Sequence, residues 1–394
     1  MAVRKIKDDV FSVGANHWDR RLFDEIIPLP DGTSYNAYLI FGSKKTALID
    51  TVDPATENQL FTNLKEFKDL KIDYVISNHA EQDHSGTIPK ILELFPEAKV
   101  ITNKKCKELL MDLLHVAEDK FIEVQDNETL SLGGKTFQFI FTPWVHWPET
   151  MSTYLIEDKI LFSCDFFGSH LATSELFVND KARVYEAAKR YYAEIMMPFR
   201  SFIKGNIQKI EKLEIEIVAP SHGLIHKEPS FIIDAYKDWI SDSVKNAVLI
   251  PYVSMHGSTK IAVNYLVDKL IEKNINVIPF NITTGDIGEL AINAVDAATI
   301  IIATPTVLVG PHPLAAFATI FLNAIKPKTK FVGIIASYAW GGVTADWIKS
   351  HLQNLKGEFL EPVLIKGLPK DTDISTFDAF VDKVVEKHRA LAII

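Results

Sequence analysis

The segment Asn78-His-Ala-Glu-Gln-Asp-His-Ser-Gly86 carries four side chains able to ligate a metal, His79, Glu81, Asp83 and His84, within six residues. It follows a strand-like run, Tyr74–Ser77, and precedes a helical one. It therefore reads as a strand-end loop, the place where sites usually sit in α/β proteins. Such a loop can turn alternate side chains toward one point, so that His79 and Glu81 serve one metal while Asp83 and His84 serve a second. Three further residues of ligand type stand at similar junctions: His146 in Val145-His-Trp147, Asp165 after Phe162-Ser-Cys164, and His222 in Pro220-Ser-His-Gly223. A lone histidine is usually structural, and His115, His170 and His351 are read that way. Seven ligand-type residues at matching junctions point to a metal pair.

A second constellation is Ser254-Met255-His256-Gly257-Ser258-Thr259, between an apolar run and a helix-like segment. Backbone N–H groups and hydroxyls there can enclose a phosphate at a helix N-terminus. The loop lacks the lysine of a P-loop and the Gly-x-Gly-x-x-Gly spacing, which disfavours a nucleoside triphosphate or NAD. Two later loops also follow apolar runs: Thr304-Pro305-Thr306-Val307-Leu-Val-Gly310 and Ser337-Tyr338-Ala339-Trp340-Gly341-Gly342. Trp340 offers a stacking face and the glycines a close backbone approach. The three loops resemble those that hold phosphate and isoalloxazine in flavodoxins, which implies FMN.

The elements that must position these residues can be read from periodicity. Ser34–Phe41, Lys45–Asp50, Tyr74–Ser77, Lys99–Thr102, Thr136–Phe141 and Ile160–Ser163 are short and rich in β-branched or aromatic types, bounded by turn formers. Helical spacing appears between them, as in Ile88, Ile91, Leu92 and Phe95. The texture changes near residue 245. Ala247–Val253, Val277–Ile278, Thr299–Ala303 and Phe331–Ala336 are nearly continuous apolar runs, as expected of parallel strands buried on both faces. Their alternation with helices, one carrying Ala262, Leu266 and Leu270, predicts a doubly wound parallel sheet. The boundary is placed in Ser241–Asn246, giving domains 1–245 and 246–394.

The 394 residues suit two or three domains at ~150 residues each. At 47% hydrophobic and 24% charged, the chain is globular rather than disordered. A net charge of −9 argues against a nucleic-acid partner. There is no apolar run of membrane-spanning length and no signal-like start, so no membrane partner and a cytoplasmic location are expected. The two cysteines, Cys106 and Cys164, have no metal-binding spacing. A metal here must be held by histidine and carboxylate.

On these motifs the chain resembles the metallo-β-lactamase superfamily, whose loop reads His-x-His-x-Asp-His, followed by a distant His, an Asp and a Gly/Ser-His-Gly. Glu81 replaces the second histidine. Three imidazoles suit zinc, whereas mixed nitrogen and oxygen donors suit iron or manganese. With the C-terminal half, this narrows the resemblance to the flavodiiron proteins (type A flavoproteins), over essentially the whole chain. The resemblance implies an N-terminal metallo-β-lactamase-like αββα sandwich and a C-terminal flavodoxin-like domain. It implies that His79, Glu81 and His146 hold one iron, that Asp83, His84 and His222 hold the other, and that Asp165 bridges. His226 is read as a non-ligand, and Trp147 and Tyr192 match aromatics that line the di-iron pocket.

An FMN beside two ferrous ions stores four electrons, the number needed to reduce dioxygen to two waters; nitric oxide, reduced to nitrous oxide, is the alternative substrate. The resemblance further implies a head-to-tail homodimer, or a dimer of such dimers. It also implies a separate electron donor, either rubredoxin or the deazaflavin F-420, with Trp18-Asp19-x-Arg21 similar to methanogen members. A zinc hydrolase fused to a flavodoxin module and a pure electron carrier remain the other readings.

Overall fold

The computed structural model describes residues 2–394, which divide into two compact units. The first comprises Met1–Tyr192 and Phe199–Ile240, the second Ala193–Pro198 and Ser241–Ile394.

The first unit is built on two sheets. One has seven strands in the order Arg4–Lys7, Val10–Ser12, Tyr38–Phe41, Thr46–Ile49, Tyr74–Ile76, Lys99–Thr102 and Phe121–Glu123, and the last four run parallel. The other has five: Thr129–Ser131, Thr136–Phe141, Met151–Leu155, Ile160–Cys164 and Ile217–Pro220. Period-two alternation explains the layering. Tyr38, Ile40, Ala47, Ile49, Ile76 and Ile101 point inward to meet Phe137, Phe139, Leu155 and Phe162 of the second sheet. Their neighbours Leu39, Leu48, Val75 and Val100 point outward, against Leu60, Leu64, Ile88, Ile91 and Leu110 of the covering helices. On the far side, the helix Arg200–Ile210 is tied to the second sheet by Lys209 Nζ donating to the Phe141 carbonyl (2.7 Å). The αββα sandwich follows.

The run Ser34–Phe41 does not form one strand. It splits into Thr33–Tyr35 and Tyr38–Phe41. Asn36 leaves the ladder to donate its side-chain amide to the carbonyls of Pro220 and Gly223, each at 2.8 Å, and its backbone N–H to Ser221. The break serves the loop that carries His222.

The second unit has a parallel sheet in the order Asn276–Asn281, Lys245–Tyr252, Ala297–Val307, Phe331–Tyr338 and an edge strand in two pieces, Glu358–Phe359 and Val363–Lys366. This is the doubly wound 2-1-3-4-5 order. Helices Ser258–Glu272 and Ile374–Ala390 cover one face through Ala262, Leu266, Phe377, Val381 and Val384. Among the described residues, no helix is long and apolar enough to cross a membrane.

Candidate metal centre and flavin cavity

Four chain crossings deliver the ligand-type side chains. The strand Tyr74–Ile76 ends at a loop carrying His79 and Glu81, and the short helical turn Gln82–Ser85 presents Asp83 and His84. His146 comes from the loop after Thr136–Phe141, Asp165 from the end of Ile160–Cys164, and His222 from the turn after Ile217–Pro220. Cys164, at φ +56°, turns the chain off its strand directly before Asp165.

The side chains meet in two groups, His79–Glu81–His146–Asp165 and Asp83–His84–His222. Glu81 Oε2 lies 3.0 Å from His79 Nε2 and 3.1 Å from His146 Nε2. Asp83 Oδ2 lies 3.2 Å from the Nε2 atoms of both His84 and His222. Asp165 presents one oxygen to each group. Its Oδ2 is 3.5 Å from His79 and 3.7 Å from His146, and its Oδ1 is 2.9 Å from His84 and 3.4 Å from His222.

Two observations bear on whether this cage fits a cation pair. Asp83 is 5% exposed, yet neither carboxylate oxygen has a hydrogen-bond partner, although two imidazoles lie at ion-pair distance. A buried carboxylate is costly unless a charge meets it. The tautomers also fit. His222 Nδ1–H donates to the Ser34 carbonyl (2.7 Å) and His79 Nδ1–H to Glu149 Oε1 (2.7 Å), acceptors that carry no proton of their own. The neutral rings therefore turn their Nε2 lone pairs into the cage. The donor set fits two divalent ions with mixed nitrogen and oxygen preference.

In the metal-free chain, protons take the place of those ions. Burial alone would lower His84, but the charges of Asp83 and Asp165 raise it to about 9. Burial likewise opposes the proton on His79, while hydrogen bonds to Glu149 and Glu81 hold it well above the usual range. Burial would raise Asp165, yet the charge of His84 beside it keeps it well below the carboxylate range.

All seven expected ligand residues come together, and Trp147 stands edge-on to His79, with ring centroids 4.9 Å apart. Tyr192 does not line this site: its hydroxyl donates to the Trp239 carbonyl (3.3 Å) and its ring packs on Tyr236 and Trp239. The neighbouring Tyr191 takes that place. Its ring stands edge-on to His170 and near His222, and burial, with the Asp165 charge, raises its phenol well above 10. Successive helical residues point about 100° apart, so one position decides which tyrosine faces the cage.

His170 is likewise not remote. It packs 4.8 Å from His222, and its Nδ1 lies 2.9 Å from the Thr33 hydroxyl. Burial and the charge of His222 hold it well below the usual value, hence neutral. His226 takes no part: its backbone pairs with Val218, and burial lowers the ring to about 4. Glu149 and Asp50 escaped the sequence reading. Asp50 braces two ligand loops at once, accepting from the Asn78 backbone and side-chain amides (both 2.9 Å) and from Ser221 Oγ (3.3 Å). Glu149 lies three residues beyond His146, and its acidic type in a histidine-bearing loop was the available signal.

In the second unit, a cavity of about 430 Å³ opens at the C-terminal ends of the parallel strands. Met255, His256, Ser258, Pro305, Thr306, Ser337, Tyr338 and Ala339 line it, together with Gly367 and Leu368, which the sequence reading missed. Gly257, at φ +94°, caps the helix Ser258–Glu272 in a backbone conformation that favours glycine. Ser254 Oγ accepts from Lys260 N–H (3.2 Å), and Thr259 Oγ1 lies 3.0 Å from Ser337 Oγ, joining two of the loops. Thr304 Oγ1 accepts from His312 N–H, and Val307 ends its strand. Trp340 is 69% exposed and, with Gly341 and Gly342, does not line the cavity; Gly342 packs close to Thr306 instead.

Residues 33–223 match the family described as ODP family beta lactamase. A flavo-diiron protein of Clostridium acetobutylicum is 33% identical over 391 residues, covering 95% of this chain and 96% of that one. A nitric oxide reductase of Moorella thermoacetica is 33% identical over 378 residues, 94% of each chain. A reduced-coenzyme F-420 oxidase of Methanothermobacter marburgensis is 32% identical over 336 residues, 82% of this chain and 83% of that one. The solved structure of rubredoxin oxygen:oxidoreductase from Desulfovibrio gigas aligns with a TM-score of 0.95 at 27% identity, covering 98% and 99% of the two chains. With relatives of this identity along nearly its full length, and with the αββα sandwich and the doubly wound sheet both in place, the chain belongs to the flavodiiron proteins.

Proposed function

We propose that this chain is an oxidase that reduces dioxygen to water, taking electrons from reduced F-420 deazaflavin or rubredoxin through FMN. The observation that carries this reading is the cage itself: two clusters, each of two histidines and one carboxylate, joined by the two oxygens of Asp165. In the proposed assignment His79, Glu81 and His146 would hold one iron, Asp83, His84 and His222 would hold the other, and Asp165, with one oxygen toward each group, would serve both. When bound, the iron pair and the flavin would supply the four electrons that two waters require.

The chain's own residues prepare that site. His79 and His222 are held by their Nδ1 partners with Nε2 facing inward. Phe23 and Tyr191 pack on His170 and His222, and Trp147 packs on His79 and His146, so apolar surface borders the cage and limits water. Tyr191, whose phenol stays protonated throughout the physiological range, keeps a hydroxyl donor beside Asp165.

FMN is assigned to the cavity among the Ser254–Thr259, Thr304–Val307 and Ser337–Gly342 loops, with its phosphate at the N-terminus of Ser258–Glu272. A homodimer, head to tail, is proposed with it. Leu308, Val343 and Trp340, in and beside these flavin loops, are 87%, 56% and 69% exposed, an apolar surface that a second copy would cover.

The test is anaerobic purification, with iron, zinc and FMN counted per chain, then oxygen uptake with each reduced donor. Asp165→Asn is expected to abolish oxygen uptake and leave the flavin absorbance intact. Full activity in that variant refutes the site assignment, and faster turnover of nitric oxide than of oxygen refutes the substrate. Two zinc ions per chain would favour a hydrolase instead.

A further inference from the structure

The two ligand clusters are matched in composition, each with two histidines, one carboxylate and one oxygen of Asp165. They differ in what lies behind the histidines. His222 donates its Nδ1 proton to a neutral acceptor, the Ser34 carbonyl. The buried Nδ1 of His84 has no partner. His79, by contrast, donates to an anion, with Nδ1 2.7 Å from Glu149 Oε1 and both side chains at 0% exposure. The same oxygen accepts from the Ala80 backbone N–H at 3.1 Å, while Oε2 has no hydrogen-bond partner.

A carboxylate pulling on Nδ1–H raises the basicity of the ring's other nitrogen, and a backbone carbonyl does so less. Charge acts in the same direction. Two divalent ions bring four positive charges, against which Glu81, Asp83 and Asp165 supply three negative ones. Glu149 brings a further carboxylate into direct contact with a ligand ring, whereas Asp50 is engaged by Asn78 and Ser221, and Glu149 lies against one cluster only. In a buried site such a charge is weakly screened.

We infer that Glu149 is a positioning and charge-setting residue that makes the two irons unequal. The iron held by His79, Glu81 and His146 is bound more tightly and oxidised more readily than its neighbour. This rests on the di-iron reading above.

Glu149→Gln isolates the charge. The amide oxygen keeps both accepted hydrogen bonds, and the NH2 group falls where Oε2 has no partner, so a purely structural bracket survives the change. Anaerobic competition titration should find one ferrous site weakened roughly 10–100-fold and the other unchanged. A mixed-valent paramagnetic signal is expected of the wild type at partial reduction and should shrink in the variant. Unchanged affinities with an unchanged signal overturn the inference, as does loss of both sites together with the melting transition. A wild type that loads two irons but never develops a mixed-valent signal overturns it without any variant. A wild type that binds no iron pair overturns the di-iron reading itself.

Discussion

Iron binding to this cage should depend steeply on pH, because protons and ions compete for the same nitrogens. In the metal-free chain burial disfavours the charged form of His84, but Asp83 and Asp165 hold its proton to about pH 9. A ligand nitrogen must be free of that proton. At about 1.4 kcal/mol for each pH step, displacing it at pH 7 rather than pH 9 costs about 3 kcal/mol, roughly a hundredfold in affinity. His79, where burial opposes the proton but hydrogen bonds to Glu149 and Glu81 hold it well above the usual value, adds a second proton to be displaced.

Apparent ferrous affinity should therefore rise by roughly a hundredfold or more between about pH 7 and 9. The assay is competition with a chelator of known proton affinities, paired with calorimetry in two buffers of different ionisation enthalpy to count released protons. An affinity flat across this range, or binding without proton release, refutes the reasoning. Stability must follow the same linkage. The folded value of His84 lies above its unfolded value near 6.5, so its contribution to the metal-free protein is complete below about pH 6.5 and lost as pH rises through about 9. Asp165→Asn, which removes one of the two carboxylates holding that proton, should make the dependence shallower.

Gly223→Ala should loosen the half of the cage that contains His222. Residue 223 sits at φ +79°, and an added Cβ would fall 2.1 Å from Ser169 Oγ. Left-handed strain of about 1–2 kcal/mol adds to the clash, so iron per chain should fall toward one while FMN content, measured on the same sample, stays constant. In the flavin-bearing unit, burial holds His388 to about 4. Its neutral ring accepts from the Thr299 hydroxyl (2.7 Å) and donates to Asn246 Oδ1 (2.8 Å). A lowered folded value means stability that is present above about pH 6.5 and lost as pH falls toward 4. His388→Gln should flatten that part of the pH–melting curve, followed by flavin fluorescence on the full chain, and parallel curves would count against the assignment.

Much of this was legible in the chain because it depends on near neighbours. Four ligand-type residues within six positions, a strand before them and a turn after them are local facts, and period-two alternation carried Tyr38, Ile40 and Ile49 to one face whatever the partner sheet. The loops around the second unit's cavity were legible for the same reason, each following its own apolar strand, although Trp340, Gly341 and Gly342 do not line it. Gly367 and Leu368 were not, since nothing in their types suggests a cavity wall; the edge strand Val363–Lys366 brings them there.

The sequence by itself determined which chemistry was available: nitrogen and oxygen donors in place of thiolates, at junctions fixed by short-range patterning. The tertiary structure alone decided who meets whom. It set one oxygen of Asp165 toward each cluster, Glu149 behind His79, His170 beside His222 and Tyr191 rather than Tyr192 toward the cage. Those pairings span tens of residues, and for the tyrosines a single step along a helix reverses the choice. Directions of side chains across such distances are set by how sheets and helices pack, which local spacing does not encode.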